Sequence, residues 1–484
     1  MSRVTTTSTQ SRIKGLVSAA LGLIIGASSL PLKADAAPVR QYRPAANYAR
    51  QTYRRPRNFM PDTLMIIPAG KVTNDQMAEV FQSNGCMMED VIGSGPYRIL
   101  IIKTQKGKLA QTEAALKKDK HVWMMQRNWQ FEQMVADDSG EDVVANKKGG
   151  SGSFLTLVNA PKAWKLGPSG AGQTIAVADS GVQPGTDDLR GKCDEGYDAT
   201  TWDAKLALAS SPIGAGAALA FGGAIGLGLG LGLNILSNTV NPGCKSDQVT
   251  KNADGVSLNG HGTMVSTVAA GAINGQHACG VAPDARIYPI RDGDSTALCA
   301  GIWHMMTTGG PKILNISQGP FYEDQDPINF LAFRLYHDWH GGIIFVAGGN
   351  HGEQLGGPVS YVNFVSMTDT SGKFLETKNG QGSALGGCIT FAAQGQMVDT
   401  VDMSNTDVST GGTSLASPTV AGVAALVWSA NPRLTGDQVV LLMKQHAYIP
   451  AGVTNDPMRY GYGIPDAEAT VKAALGLSAQ GLGG

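Results

Sequence analysis

GGTSLASPTVAGVAALV, residues 411–427, sets one serine behind two glycines and ahead of a run without a charged residue. A helix that is apolar on every side is a buried helix. Ser414 would open such a helix, with Gly412 and Ala416 leaving its hydroxyl accessible. At a helix N-terminus the peptide dipoles favour negative charge. Pro418 falls within the first helical turn or just after it, where its missing N–H costs least. A free hydroxyl is a poor nucleophile, so Ser414 needs a base, and the base needs an orienting acid.

Upstream, from about residue 154, short apolar runs alternate with helical patterns. TIAVADSG, ARIYPIRD, KILNISQG and IIFVAGGN read as strands. HGTMVSTVAAGAI, ALCAGIWHMMTT, INFLAFRLYHDW and SLASPTVAGVAALVWSA read as helices. The alternation predicts an α/β fold, a mainly parallel sheet with helices on both faces. In such sheets chemistry gathers at the carboxyl ends of the strands.

Three polar residues stand at such places. Asp179 ends TIAVAD, His261 lies between Gly260 and Gly262 at the mouth of an apolar helix, and Asn350 ends IIFVAGGN behind Gly348 and Gly349. Taken singly they read as a capping aspartate, a helix-cap histidine and a turn asparagine. Together with Ser414 they supply an acid, a base, an amide donor and a hydroxyl. The set, in VADSGV, GHGTMVSTVAAG, FVAGGN and GGTSLASP, resembles the subtilisin-like serine peptidases, the subtilases of peptidase family S8. GVAPDARIYPIR and GYGIPDAEATVKAA are similar to the same family, so the resemblance covers residues 154 to about 476.

The resemblance implies a catalytic aspartate–histidine–serine triad of Asp179, His261 and Ser414. It implies an oxyanion hole from Asn350 and the Ser414 N–H, and substrate binding by Ser317, Gln318, Gly319, Gly348 and Gly349. It needs no cofactor for the chemistry. It does suggest a structural calcium at Asp188 and Asn274, whose carboxylate and amide oxygens are suitable hard ligands.

The N-terminal third has its own organisation. Residues 1–36 read as a signal peptide: Arg12 and Lys14, the apolar GLVSAALGLIIGASSL, then Ala34-Asp35-Ala36. Export predicts a secreted, periplasmic or cell-surface location and an environment that allows disulfides. Residues 37–59 hold six arginines, three prolines and no acid, the composition of a solvated linker. Residues 60–134 read as β-α-β-α-β with a split strand at DVIG, a small α+β, ferredoxin-like unit. The resemblance implies that this is the propeptide, an intramolecular chaperone and inhibitor. A cleavable polar linker, 135–153, separates it from the catalytic domain, 154–476, and residues 477–484 form a tail.

The chain departs from the simplest family members between Asp179 and His261, 82 residues apart. An apolar, Gly-rich insertion of about 194–250 accounts for the excess, and its stretch 213–236 has no charge. Both residues must meet in one site, so both ends of the insertion lie on one side of any membrane. Two helical crossings need about 40 residues, more than the apolar stretch from Leu206 to Leu236 offers. The stretch is therefore expected to pack on its own domain, to self-associate or to touch a membrane peripherally. Cys193 and Cys244 bracket the insertion and form one candidate disulfide, with Cys279 and Cys299 a second. Spacing alone does not decide the pairing. Cys388 would then be free in the mature chain, and Cys86 belongs to the propeptide. The segment after Asn350, HGEQLGGPVSYVNF, is shorter than in familiar subtilisins and leaves the first specificity pocket undefined.

The net charge of −1 gives no electrostatic reason to expect a nucleic-acid partner. The expected function is a secreted serine endopeptidase made as a zymogen, with polypeptide substrates and its own propeptide as partners. The alternatives are a non-catalytic binding protein on a peptidase scaffold and a dedicated, membrane-proximal processing peptidase.

Overall fold

Strand β1 (Phe59–Pro68) carries LMII at 64–67, buried throughout. Successive side chains of a strand face opposite ways. Leu64 and Ile66 pack with Met77, Phe81, Leu100, Ile102 and Leu116 in a small core. Met65 and Ile67 face the other way and join the core of the larger sheet. One strand thus belongs to two cores, which is why it reads as a continuous apolar run. The computed structural model describes residues 57–133, 152–201, 247, 249–251, 257–277, 279–378 and 381–479. The expected signal peptide, the stretch 213–236 and Cys244 lie outside these residues.

The N-terminal unit continues with α1 (Asn74–Ser83), β2 (Cys86–Ile92), β3 (Ile99–Thr104), α2 (Leu109–Leu116) and β4 (Val122–Trp129). Thr73 and Gln76 form a reciprocal capping box at the start of α1. The sheet is antiparallel, in the order β2-β3-β1-β4. This is the ferredoxin-like β-α-β-β-α-β arrangement. The split strand expected at DVIG is a full strand that starts at Cys86. It lies at the sheet edge, and its middle residues are partly or fully exposed, so its apolar signal is broken.

The second sheet has seven strands, all pairs parallel. They are β6 (Thr174–Asp179), β7 (Tyr197–Asp198), β8 (Arg286–Arg291), β9 (Ile313–Ile316), β11 (Ile343–Ala347), β12 (Asn363–Thr368) and β13 (Ile389–Gln394). Their spatial order is β13-β12-β11-β9-β6-β8-β7. Strands β8 and β9 thus lie on opposite sides of β6, and in open α/β sheets such a switch in order opens a crevice at the carboxyl ends.

Helices cover both faces. Helix α3 (His261–Ala270), α6 (Thr413–Ala430) and α8 (Ala467–Ala479) pack on one face, which takes Ile175, Val177, Phe345 and Val365. Helix α4 (Ser295–Thr308) and α5 (Pro327–His340) pack on the other, which takes Ala176, Ala178, Ile344 and Val346. Helix α7 (Gly436–His446) packs beside α6 and α8. Helix α6 is long and apolar enough to cross a membrane, but 89% of it is buried in the core. The N-terminal sheet lies over α4 and α5, and at the contact Gly93 leaves room for the Trp303 ring. A Cβ at Gly93 would come within 2.6 Å of that ring.

The two faces correct one expectation. Cys299 lies in the core on the α4 side and Cys279 packs against the core on the α3 side, so the sheet separates them and they form no disulfide. Cys86 and Cys388 are buried and unbridged.

Candidate active site

Asp179 is the last residue of β6, and His261 is the first of α3. His261 Nδ1 lies 2.8 Å from Asp179 Oδ1 and 3.0 Å from Oδ2, with both side chains fully buried. Glycine is required here. Gly260 has φ +84°, and a Cβ on Gly262 would come within 2.0 Å of the Gly181 carbonyl. The turn before α3 is also held by Asp247, which accepts from the Ser180 hydroxyl and the Thr263 N–H at 2.7 Å each. Ser180 in turn accepts from the Gly262 N–H. Asp247 was not legible in the sequence, because it lies inside the insertion and meets its partners only on folding.

Ser414 is the second residue of α6, and Gly412, at φ +137°, starts the helix. Pro418 sits inside α6, where its ring removes the N–H that would reach the Ser414 carbonyl. The Ser317 hydroxyl donates to that carbonyl instead, at 2.8 Å. Asn315 holds the arrangement: its amide donates to Ser317 Oγ and its oxygen accepts from Ser417 Oγ. Ser317 is therefore turned toward the helix that carries Ser414 and is fully buried.

Asn350 follows β11 through Gly348 and Gly349. Its Oδ1 accepts from both the N–H and the hydroxyl of Thr413, at 2.8 and 2.9 Å. The Gly349 N–H donates to the same hydroxyl, at 3.1 Å. The amide is thus fixed beside Ser414 with its nitrogen left over. Among the described residues, His261 Nε2, Asn350 Nδ2 and Ser414 Oγ are all buried atoms without a hydrogen-bond partner. Buried polar atoms of a native protein are nearly always paired, so such a group calls for an explanation.

Gln318 and Gly319 form the short strand β10. It pairs antiparallel with β5 (Glu132–Gln133), which follows the N-terminal sheet, in the register Gln318↔Gln133 and Gly319↔Glu132. On its other side the same segment meets the turn after β8: the Phe131 N–H donates to the Gly293 carbonyl at 2.9 Å, and Gln130 bridges Asp294. The Phe131 ring rests 5.0 Å from that of Phe321. An extended chain therefore runs between two walls, residues 293–294 and 318–319, as an added strand.

Arg57, expected in a solvated linker, has a 3% exposed side chain. It donates to both oxygens of Asp326, to the Pro320 carbonyl and to Gln325. It also stacks over Trp129, 4.2 Å from the ring centroid. Burial pushes Asp326 up to about 6 even with Arg57 beside it.

Asp188 and Asn274 do meet. The Asn274 amide donates to Asp188 Oδ1 at 2.8 Å, and its own oxygen accepts from the Gln276 N–H. Asp188 Oδ2 is buried without a partner, and burial raises this carboxyl to about 6. No cluster of three or more His, Cys, Asp or Glu suited to a metal occurs among the described residues.

The model of the subtilase family, peptidase S8, matches residues 170–463, and the chain belongs to that family. It is a serine endopeptidase of the subtilisin type. Subtilisin DY of Bacillus licheniformis is 32% identical over 236 residues, which are 46% of this chain and 80% of that protein. Thermitase of Thermoactinomyces vulgaris is 26% identical over 56% of this chain and 80% of its own length. The minor extracellular protease Epr of Bacillus subtilis (strain 168) is 24% identical over 73% of this chain, which covers 47% of Epr. Among solved structures, fervidolysin from Fervidobacterium pennivorans, described as a keratinolytic enzyme related to subtilisin, superposes with a TM-score of 0.57. It is 18% identical, over 87% of this chain and 62% of that one.

Proposed function

We propose that the chain is a secreted endopeptidase made as a zymogen, which cleaves polypeptides through an acyl-enzyme on Ser414. The observation that carries this reading is the set of three buried, unpartnered atoms: His261 Nε2, Asn350 Nδ2 and Ser414 Oγ. Each is the atom the reaction would use. Ser414 Oγ attacks the substrate carbonyl, and its proton passes to His261 Nε2. Asp179, bonded to Nδ1, holds the imidazole in the tautomer with Nε2 free and stabilises the imidazolium. The carbonyl oxygen, now negative, accepts from Asn350 Nδ2 and the Ser414 N–H. The scissile C–N bond then breaks, and the leaving amine takes the proton from His261. Water repeats the sequence on the ester and frees Ser414.

The zymogen reading rests on the segment 130–133 lying between the two walls. A polypeptide substrate would take the same place, so the N-terminal unit would act as propeptide and inhibitor until released. Export is supported by one relative, Epr of Bacillus subtilis, which is named an extracellular protease. The unpartnered Asp188 Oδ2 is what a calcium ion would satisfy, with Asn274 turning its amide oxygen inward. This is a fit for one carboxylate and one amide, and no step of the reaction passes through the ion.

The test is a fluorophosphonate probe on the chain without residues 1–36, with Ser414→Ala as control and mass followed alongside. Labelling of the wild type alone, with loss of the N-terminal unit, supports the reading. A folded, cleaved and unlabelled wild type would leave a non-catalytic scaffold.

A further inference from the structure

One buried acid near the cleft has no part in the chemistry above. Asp292 directly follows β8 and precedes Gly293, which forms one wall of the channel. Gln318 belongs to the other wall. Gln318 Nε2 donates to Asp292 Oδ1 at 2.6 Å, so a side-chain bond crosses between the walls that hold residues 130–133. The Asp292 N–H also donates to the Asp179 carbonyl at 3.0 Å, which ties the bond to the strand that carries the catalytic acid.

The two groups are half satisfied. Asp292 Oδ2 and Gln318 Oε1 are both buried acceptors without a donor. An ionised carboxylate and an amide oxygen cannot bond to each other. A carboxylic acid and a primary amide can, through a ring of two hydrogen bonds: N–H to one oxygen, and O–H to the amide oxygen. One proton on Oδ2 supplies both missing partners. The surroundings favour it. Burial is the main influence on Asp292 and raises it well above the usual carboxylate range, and the acids Asp179 and Asp294 add to this. Arg291, the neighbouring cation, is turned away to Asp198 and the Ser180 carbonyl. His261 is engaged by Asp179.

We propose that Asp292 is a neutral carboxylic acid that forms a cyclic acid–amide pair with Gln318, and that this pair sets the spacing of the two walls that grip the substrate backbone. Asp292 is a positioning residue, and it touches no reacting atom. The inference rests on the reading of residues 293–294 and 318–319 as the substrate channel. At alkaline pH the acid ionises, the second hydrogen bond is lost, and two acceptors face each other. The walls then hold an extended peptide less well, and KM rises while kcat holds.

Two measurements on the matured full chain test this. The first is the infrared carbonyl band of a protonated side-chain acid. It is expected in wild type at neutral pH and absent from Asp292→Asn. The second is the pH profile of kcat and KM for a peptide substrate. Asp292→Ala raises KM about tenfold at neutral pH, the size of one lost buried hydrogen bond. Asp292→Asn, whose amide can form the same ring with Gln318, recovers most of that loss and removes the alkaline rise in KM. The pair is overturned if no acid band distinguishes wild type from Asp292→Asn, or if the Asn and Ala variants share one profile. Fluorophosphonate labelling of Ser414 separates the two readings. Without labelling, the peptidase reading fails and the infrared band alone decides the pair.

Discussion

The corner around Ser414 and the seat of the N-terminal unit are both buried, yet they treat their polar groups differently. At the seat, Arg57 meets both oxygens of Asp326, and Gln126 accepts from the Ile328 N–H and donates to Asn329. At the corner, three polar atoms end without a partner. A nearly finished polar network, in which only Arg57 Nε of these four side chains lacks a partner, suits a partner that stays until something breaks it. An unfinished one suits a reactant that arrives, changes and leaves. The chain thus holds a tight contact beside an open valence.

The largest effect expected at the open corner is from Ser414→Ala. It should lower kcat about 10⁶-fold, a magnitude taken from subtilisin itself rather than from this chain. Residual turnover within tenfold of wild type would mean that the serine is not the nucleophile. Next comes the closed seat. Arg57→Ala leaves Asp326 buried without its cation, at a cost of about 3–5 kcal/mol. The lag before activity appears should shorten sharply, while the kcat of the released enzyme stays unchanged. An unaltered lag would break the contrast between seat and corner.

Asn350→Ala should cost about 10²–10³ in kcat with little change in KM, since its nitrogen would bond only once negative charge develops. A loss confined to KM would move Asn350 from the oxyanion to ground-state binding. The smallest effect concerns Asp188. Its folded value of about 6 lies above the unfolded value of about 4, so the folded state holds the proton longer. Stability should therefore fall as pH rises from about 4 through about 6, by roughly 2 kcal/mol. Denaturant titrations across that window should show a shallower slope in Asp188→Asn than in wild type, with Asp326, also pushed up to about 6, contributing in both. Added calcium should restore stability at neutral pH in wild type but not in the variant.

Much of the fold and the corner was legible because the signals are local. The glycines beside His261, Asn350 and Ser414 lie next to the groups they make room for, and the apolar runs of β6 and β11 end where their polar residues begin. Strands β12 and β13 went unread in the loop-rich stretch between β11 and α6, although both are fully buried. Contacts that close over long sequence distance left no trace. Arg57 and Asp326 are 269 residues apart, and Asp292 looks like any turn aspartate until Gln318 is folded against it. Ser317 was expected, with Gln318 and Gly319, on the strand that lines the substrate. What the sequence did not show is the second use of its hydroxyl, on the carbonyl that Pro418 leaves vacant, a need visible only once strand and helix are side by side.

That proline has a mechanical consequence. In an uninterrupted helix the carbonyl of the second residue is held from within, and the residue travels with the helix as it bends or shifts. Here the grip comes from outside, through the hydroxyl of Ser317 at the end of β9. Ser417, one turn on, is gripped through Asn315 of the same strand. Ser414 is therefore indexed to the sheet, the frame that also carries Asp179. The two are registered against a common rigid part, so vibration or slippage of α6 along its own axis need not misalign them.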